Sequence, residues 1–147
     1  MNPNLFFNYY DAFEESVRSG DFDAVGKLMT EDVVYEISGV PFACTLRGRD
    51  AVTAGMARST RAFDQKLDGR WLGVCGMPRQ AEDALFVELL AAYRRRDAPD
   101  VHFTVTEVFR EQDGRICHID DRYDPETMAV AERWLAEYGA ELDPSYV

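Results

Sequence analysis

Residues Val101 to Asp124, VHFTVTEVFREQDGRICHIDDRYD, can fold well in only one way, as a β-hairpin. Side chains of a strand alternate between its two faces. Val101, Phe103, Val105, Glu107 and Phe109 therefore share one face of a first arm, opposite His102, Thr104, Thr106, Val108 and Arg110. In a second arm Cys117, Ile119, Asp121 and Tyr123 share a face, opposite His118, Asp120 and Arg122. Asp113-Gly114 marks the turn.

Loop length decides which faces meet. A two-residue Asp-Gly loop pairs Gln112 with Arg115 and sets the apolar face of one arm beside the polar face of the other. A three-residue loop, Gln112-Asp113-Gly114, joins odd positions to odd ones, with Gly114 in the left-handed position of a bulged turn. Register follows the hydrophobic pattern, which predicts the three-residue loop. Glu107 then lies opposite Ile119 and Asp121 opposite Val105, making the two carboxylates diagonal neighbours with Cα atoms roughly 7–8 Å apart. Acidic side chains are almost never fully buried unpaired. Two of them on one apolar face form the chain's main anomaly.

A chain of 147 residues predicts one domain over 1–147, long enough to bury a real core. The net charge of −11 argues against nucleic acid or an anionic membrane as partner. The only basic run, Arg94-Arg95-Arg96, is flanked by Asp97 and Asp100 and reads as a solvated loop. Cys44, Cys75 and Cys117 have no metal-ligand spacing and are odd in number, which fits a reduced, cytoplasmic chain. The start, MNPNLFFNYYDAFEE, lacks the features of a signal peptide, and no apolar run approaches membrane-spanning length.

Along the rest of the chain, Phe6, Tyr9, Tyr10, Phe13 and Val17 fall on one face of a helix from about Asn4 to Ser19. Gly20 ends it, and Asp21 caps a short second helix with Phe22, Val25, Leu28 and Met29 inward. The aromatic stripe reads as core, with tyrosine hydroxyls able to reach a cavity. Asp32 to Ser38 alternates as a strand with Val33, Tyr35 and Ile37 on its apolar face; Gly39 and Pro41 break it, and Phe42 to Leu46 pairs back. Asp50 is the expected cap of a third helix. Lys66 to Cys75 and Ala84 to Arg94 read as two more strands, the second apolar on both faces, which leaves the direction of Glu88 open and makes it a surface or strand-end group before a site residue. Asp124-Pro125 starts a last helix that buries Met128, Ala131, Trp134, Leu135 and Tyr138 and stops at Gly139. The order predicts an α+β fold: a curved antiparallel sheet with helices over its concave face.

That order resembles the cone-shaped nuclear-transport-factor-2-like superfamily, and within it the SnoaL-like polyketide cyclase branch. The resemblance is carried by Gly20-Asp21-Phe22-Asp23, by Asp32-Val33-Val34-Tyr35, by Arg47-Gly48-Arg49-Asp50-Ala51-Val52, and by Asp113 to Ile116 through Asp121-Arg122-Tyr123-Asp124. It spans nearly the whole chain and is more specific for fold than for function. It implies a catalytic aspartate on the last strand, where Asp121 stands, but the cyclases carry histidine where this chain has Glu107. Ketosteroid isomerases keep a tyrosine, a base aspartate and an acid at positions held here by Phe13, Ile37 and Glu107, so only the acid survives. Limonene-epoxide hydrolases need an Arg-x-Asp where this chain has Leu89-Leu90-Ala91, although Tyr35 and Asp121 match positions their pockets use. The family often pairs as homodimers, and the mixed polarity of Val108, Thr104, Thr106, His102 and His118 suits such an interface on the convex face.

Two readings follow. Glu107 and Asp121 can split into a protonated acid and an anionic base, in a pocket lined by Tyr35, Ile37, Phe13, Phe103, Val105, Ile119 and Tyr123. That suits cofactor-independent proton transfer on a small hydrophobic carbonyl compound, as in a cyclase, isomerase or dehydratase. The other reading is a non-catalytic small-molecule binding or interaction protein in which an arginine or tyrosine satisfies each carboxylate. A pocket closed by large side chains, or Asp121 locked by arginine, points to that second reading. His102 and His118 read as surface or interface residues.

Overall fold

The computed structural model describes residues 1–147. Four helices and seven strands run in the order α1 (Pro3–Ser19), α2 (Asp23–Lys27), β1 (Met29–Ser38), β2 (Cys44–Arg47), α3 (Arg49–Ala62), β3 (Gly69–Val74), β4 (Arg79–Ala81), β5 (Ala84–Arg94), β6 (Val101–Gln112), β7 (Arg115–Tyr123) and α4 (Pro125–Tyr138). A 3₁₀ turn, Asp64–Lys66, takes the first part of the strand expected from Lys66. The sheet order is β2-β1-β7-β6-β5-β3, with β4 also paired to β5.

The caps explain most helix boundaries. Asn2 accepts a hydrogen bond from Asn4 N ahead of Pro3, and Gly20 closes α1 at φ +80° with its N–H on Ser16 O. Asp124 accepts from Thr127 N at the start of α4. Asp50 does not cap α3. Gly48 holds the cap position with no side-chain bond, and Asp50 lies in the first turn, where its charge favours the positive helix end. Asp21 likewise accepts from Asp23 N but precedes the cap position, which Phe22 holds.

Two features of the sheet differ from expectation. First, β1 pairs with β7 in parallel, while every other pair is antiparallel. Alternation of side chains looks the same in either strand direction, so a parallel pair between distant segments leaves no mark in the pattern. Second, the β6–β7 turn is the two-residue Asp113-Gly114 loop, both residues at positive φ (52° and 77°), with Gln112 opposite Arg115. A bulge between Arg110 and Glu111 on one side, Ile116 and His118 on the other, then restores odd-to-odd pairing. Cys117 is the extra residue, half-buried, while Ile116 is fully buried together with Ile119.

The core lies on the odd face. Phe109 is fully buried, with Phe6 and Tyr9 of α1 each 5.4 Å from it edge-on. On the other face Val108, expected as apolar area for a partner, is itself fully buried within this chain. Beyond Tyr123, α4 takes over the edge of β6 that β7 has left: Asp124 N donates to Thr104 O and Thr104 N to Thr127 Oγ1.

Candidate active site

The shifted register sets Glu107 directly opposite Asp121, closer than the expected diagonal. Asp121 is 4% exposed. Its Oδ2 accepts a 2.6 Å hydrogen bond from the Tyr35 hydroxyl, which reaches it from the neighbouring parallel strand, and its Oδ1 is buried with no partner. Glu107 keeps partial exposure although it lies deep in the domain, because the surface it shows faces an internal cavity.

Burial pushes both carboxyls up. Asp121 rises from 3.8 to about 7, the Tyr35 bond opposing and Asp120 adding to the rise. Glu107 is raised well above its ordinary range by burial, then by the Asp121 charge, with Arg70 acting the other way. Two carboxylates this close in low dielectric do not both ionise near neutrality. The pair therefore holds one proton between its two members near neutral pH.

The cavity amounts to about 50 Å³ and is walled mainly by rings. Of the expected lining, Phe13, Tyr35, Phe103, Val105 and Tyr123 stand on it with both acids. Ile37 and Ile119 do not: both are buried in the core but off the wall. Ile119 sits opposite Phe109, whose contacts with Phe6 and Tyr9 fill that end. Near Ile37 the returning turn brings Phe42 onto the wall, where its ring stacks on Tyr123 at 5.1 Å.

Sequence reasoning left much of the wall unnamed, Arg70 and Tyr146 above all. Arg70 shares parity with Leu72 in β3 and stands opposite Tyr93, and all three line the cavity. The parity was readable, but nothing in it showed that this face of β3 meets the cavity. Arg70 is not free: Nη1 bonds both Glu14 oxygens at 2.8 and 3.0 Å, and Nε bonds Asp64 Oδ1 at 2.9 Å. No arginine locks Asp121. Tyr146, eight residues past α4, has no periodicity around it, yet its ring lies 5.6 Å from Tyr35. Tyr9 and Tyr10, on the aromatic stripe of α1 whose tyrosines were expected to reach a cavity, also stand on the wall.

The remaining polar groups lie elsewhere. Glu88 and His102 are exposed. On the polar face His118 contacts Glu36 and Arg110, each at 3.1 Å. Arg94 pairs with Asp100, and Arg95 Nη1 donates to Tyr138 O. No group of three or more His, Cys, Asp and Glu side chains is placed to hold a metal ion. No helix is long and apolar enough to cross a membrane.

Comparison with known proteins adds a lineage to this geometry. No curated protein sequence matches the chain. Among solved structures, an epoxide hydrolase of the limonene-epoxide-hydrolase-like kind from Mycobacterium tuberculosis is 26% identical, over 87% of this chain and 90% of that one, with a TM-score of 0.60. An NTF2-like protein from Anabaena variabilis is 12% identical over 85% and 90%, with a TM-score of 0.67. A hypothetical protein with a ketosteroid isomerase-like fold from Catenulispora acidiphila, in complex with trimethylamine, is 17% identical over 88% and 95%, with a TM-score of 0.64. The SnoaL-like domain matches residues 7–119. With most of α1 through the first half of β7 inside that match and the curved sheet shared with NTF2-like structures, the chain belongs to the SnoaL-like domain family of the NTF2-like superfamily.

Proposed function

We propose that the protein is a cofactor-independent acid–base enzyme acting on a small hydrophobic carbonyl compound, by proton transfer of the cyclase, isomerase or dehydratase type. One observation carries this reading: two carboxyls face each other across β6 and β7 at a ring-lined cavity, with different partners. Asp121, oriented by Tyr35, is the base that takes a proton from the carbon beside the carbonyl. Glu107, held neutral, donates to the carbonyl oxygen as charge develops there. Return by the reverse transfers exchanges the α-proton; delivery of the Asp121 proton to another carbon of the enol, as Glu107 takes its own back from the oxygen, gives an isomer, and either way the pair ends with the protons it began with. Apolar walls suit a substrate without charge and hold both carboxyls above their ordinary range.

The test is exchange of solvent deuterium into the α-position of a panel of hydrophobic ketones. Exchange by the wild type that disappears in Asp121→Asn is the expected result. A protein that exchanges none of the panel, yet binds members of it, overturns the enzyme reading. The narrowness of the cavity, closed by large rings, favours that second reading, a binding protein without chemistry.

A further inference from the structure

The chain beyond α4 is strapped across α3 by a run of specific bonds. Lys66 Nζ donates to Glu141 O, Asp143 N to Ala62 O, and Ser59 Oγ to Pro144 O. Arg58 grips the strap twice, Nη1 on Ser145 O and Oγ at 2.6 Å each and Nη2 on Asp143 Oδ2 at 3.0 Å. Helix α3 makes room for it: a Cβ on Gly55 would lie 3.0 Å from Tyr146 O and 2.5 Å from Leu46 Cδ1. The strap delivers one side chain to the cavity. Tyr146 stands on the wall with its ring edge-on to Tyr35, at 74°, and Tyr35 is the residue bonded to Asp121.

We propose that Tyr146 occupies the ligand's own place: the site beside Tyr35 and Asp121 takes an aromatic or quinoid ring bearing a hydroxyl or carbonyl oxygen, admitted when the strap lifts. The inference rests on the cavity being a ligand site, as proposed above, and narrows the ligand from any hydrophobic carbonyl compound to a ring of this kind. Three facts support it. The cavity as closed is too small for such a ring, so a wall element has to move for one to enter. Most wall residues stand on strands and helices, whereas the strap has no regular backbone pairing and is tied down by side-chain bonds from Arg58, Ser59 and Lys66, with Leu142 and Tyr146 packed against the core. Tyr146 is itself a phenol, and with it seated Asp121 Oδ1 stays buried without a partner, an acceptor that a ring's hydroxyl can bond.

The experiment uses p-cresol, the tyrosine side chain cut at Cβ, and toluene, the same ring without the oxygen. Binding is followed by calorimetry and by ring-proton shifts in NMR. Tyr146→Ala vacates the seat and is expected to bind p-cresol at least about tenfold more tightly than the wild type, and more tightly than it binds toluene. Arg58→Ala leaves every cavity residue intact and loosens only the strap. Apparent affinity scales with the open fraction, so this variant is expected to gain about tenfold for p-cresol as well. Equal affinity in wild type and both variants overturns the proposal, and so does equal binding of p-cresol and toluene by Tyr146→Ala. The outcomes separate from those of the enzyme reading. Ketone exchange by the wild type with no gain in p-cresol binding sinks the seat and spares the enzyme; p-cresol binding with no exchange by any variant does the reverse.

Discussion

At the scale of the residue, Asp121 links stability to chemistry. Its carboxyl titrates near 3.8 in an unfolded chain and near 7 in the fold. The folded state therefore binds more protons than the unfolded one between those values, and stability falls as pH rises through that window. The full penalty above pH 7 is on the order of 4 kcal/mol at about 1.4 kcal/mol per unit. Asp121→Asn keeps an acceptor for Tyr35 and removes the titration, so it is expected to melt no earlier than the wild type at pH 8 and to show a flatter melting profile from pH 5 to 8. Turnover in the same variant is expected to fall by roughly 10²–10⁴-fold. Early melting with activity retained in the folded fraction would assign Asp121 to structure. Glu107→Gln supplies the contrast. A neutral Glu107 that only donates a hydrogen bond is replaced by an amide that also donates, so this variant is expected to keep more activity than Asp121→Asn, judged by kcat on one substrate.

At the scale of the element, the β6–β7 hairpin shows what alternation reveals and what it hides. Parity placed Glu107 and Asp121 on one face, and the structure has them there. The route differs, because Cys117 is a bulge residue that no composition rule marks, and a tight turn plus a bulge gives the same parity as a three-residue loop. The turn itself is testable. Gly114 has φ +77° with open space where a Cβ would stand, so Gly114→Ala meets only backbone strain. Urea denaturation is expected to show a loss of about 1–2 kcal/mol. A second element-level feature is Arg70, which ties β3 to Glu14 of α1 and to Asp64 of the 3₁₀ turn. The side chains of Arg70 and Asp64 are 12% and 13% exposed. Replacing the arginine by an apolar residue leaves buried carboxylates uncompensated, a situation that costs about 3–5 kcal/mol. Burial already raises the Asp64 carboxyl even beside Arg70. Arg70→Met is therefore expected to melt early at pH 8 and to recover part of the loss near pH 5, as protonation removes the stranded charge. A loss independent of pH would instead mean that the arginine stem contributes by packing alone.

At the scale of the whole molecule, the cone was legible because its parts are marked locally: caps at Asn2, Gly20 and Asp124, alternation in β1, β5, β6 and β7, and Gly-rich turns. The cavity was legible only where two strands of known parity met. Arg70 comes from a strand whose parity does not say which face meets the cavity and Tyr146 from a segment with no period, and neither position exists until the sheet curves and the strap crosses α3. Assembly is the remaining question at this scale. The convex face was expected to offer Val108 to a partner, but that side chain is already buried in its own chain. What remains outward is mostly polar, with His102 exposed and Thr104, Thr106 and His118 half-buried beside half-buried Phe86 and Leu90 of β5, plus one large apolar group that is mostly exposed. Trp71 is 55% exposed on strand β3, at the sheet's edge and on the same face as His102 through Ala92. Interfaces place tryptophans at their energetic centres, while a polar surround contributes little affinity by itself. A homodimer through this face is therefore expected to depend on Trp71 and to be modest in strength. Light scattering at tens of micromolar is expected to give the mass of two chains for the wild type and of one chain for Trp71→Glu, with the variant's melting temperature unchanged. A wild type that stays monomeric at that concentration removes the dimer; one that stays dimeric with Trp71→Glu moves the interface off this face.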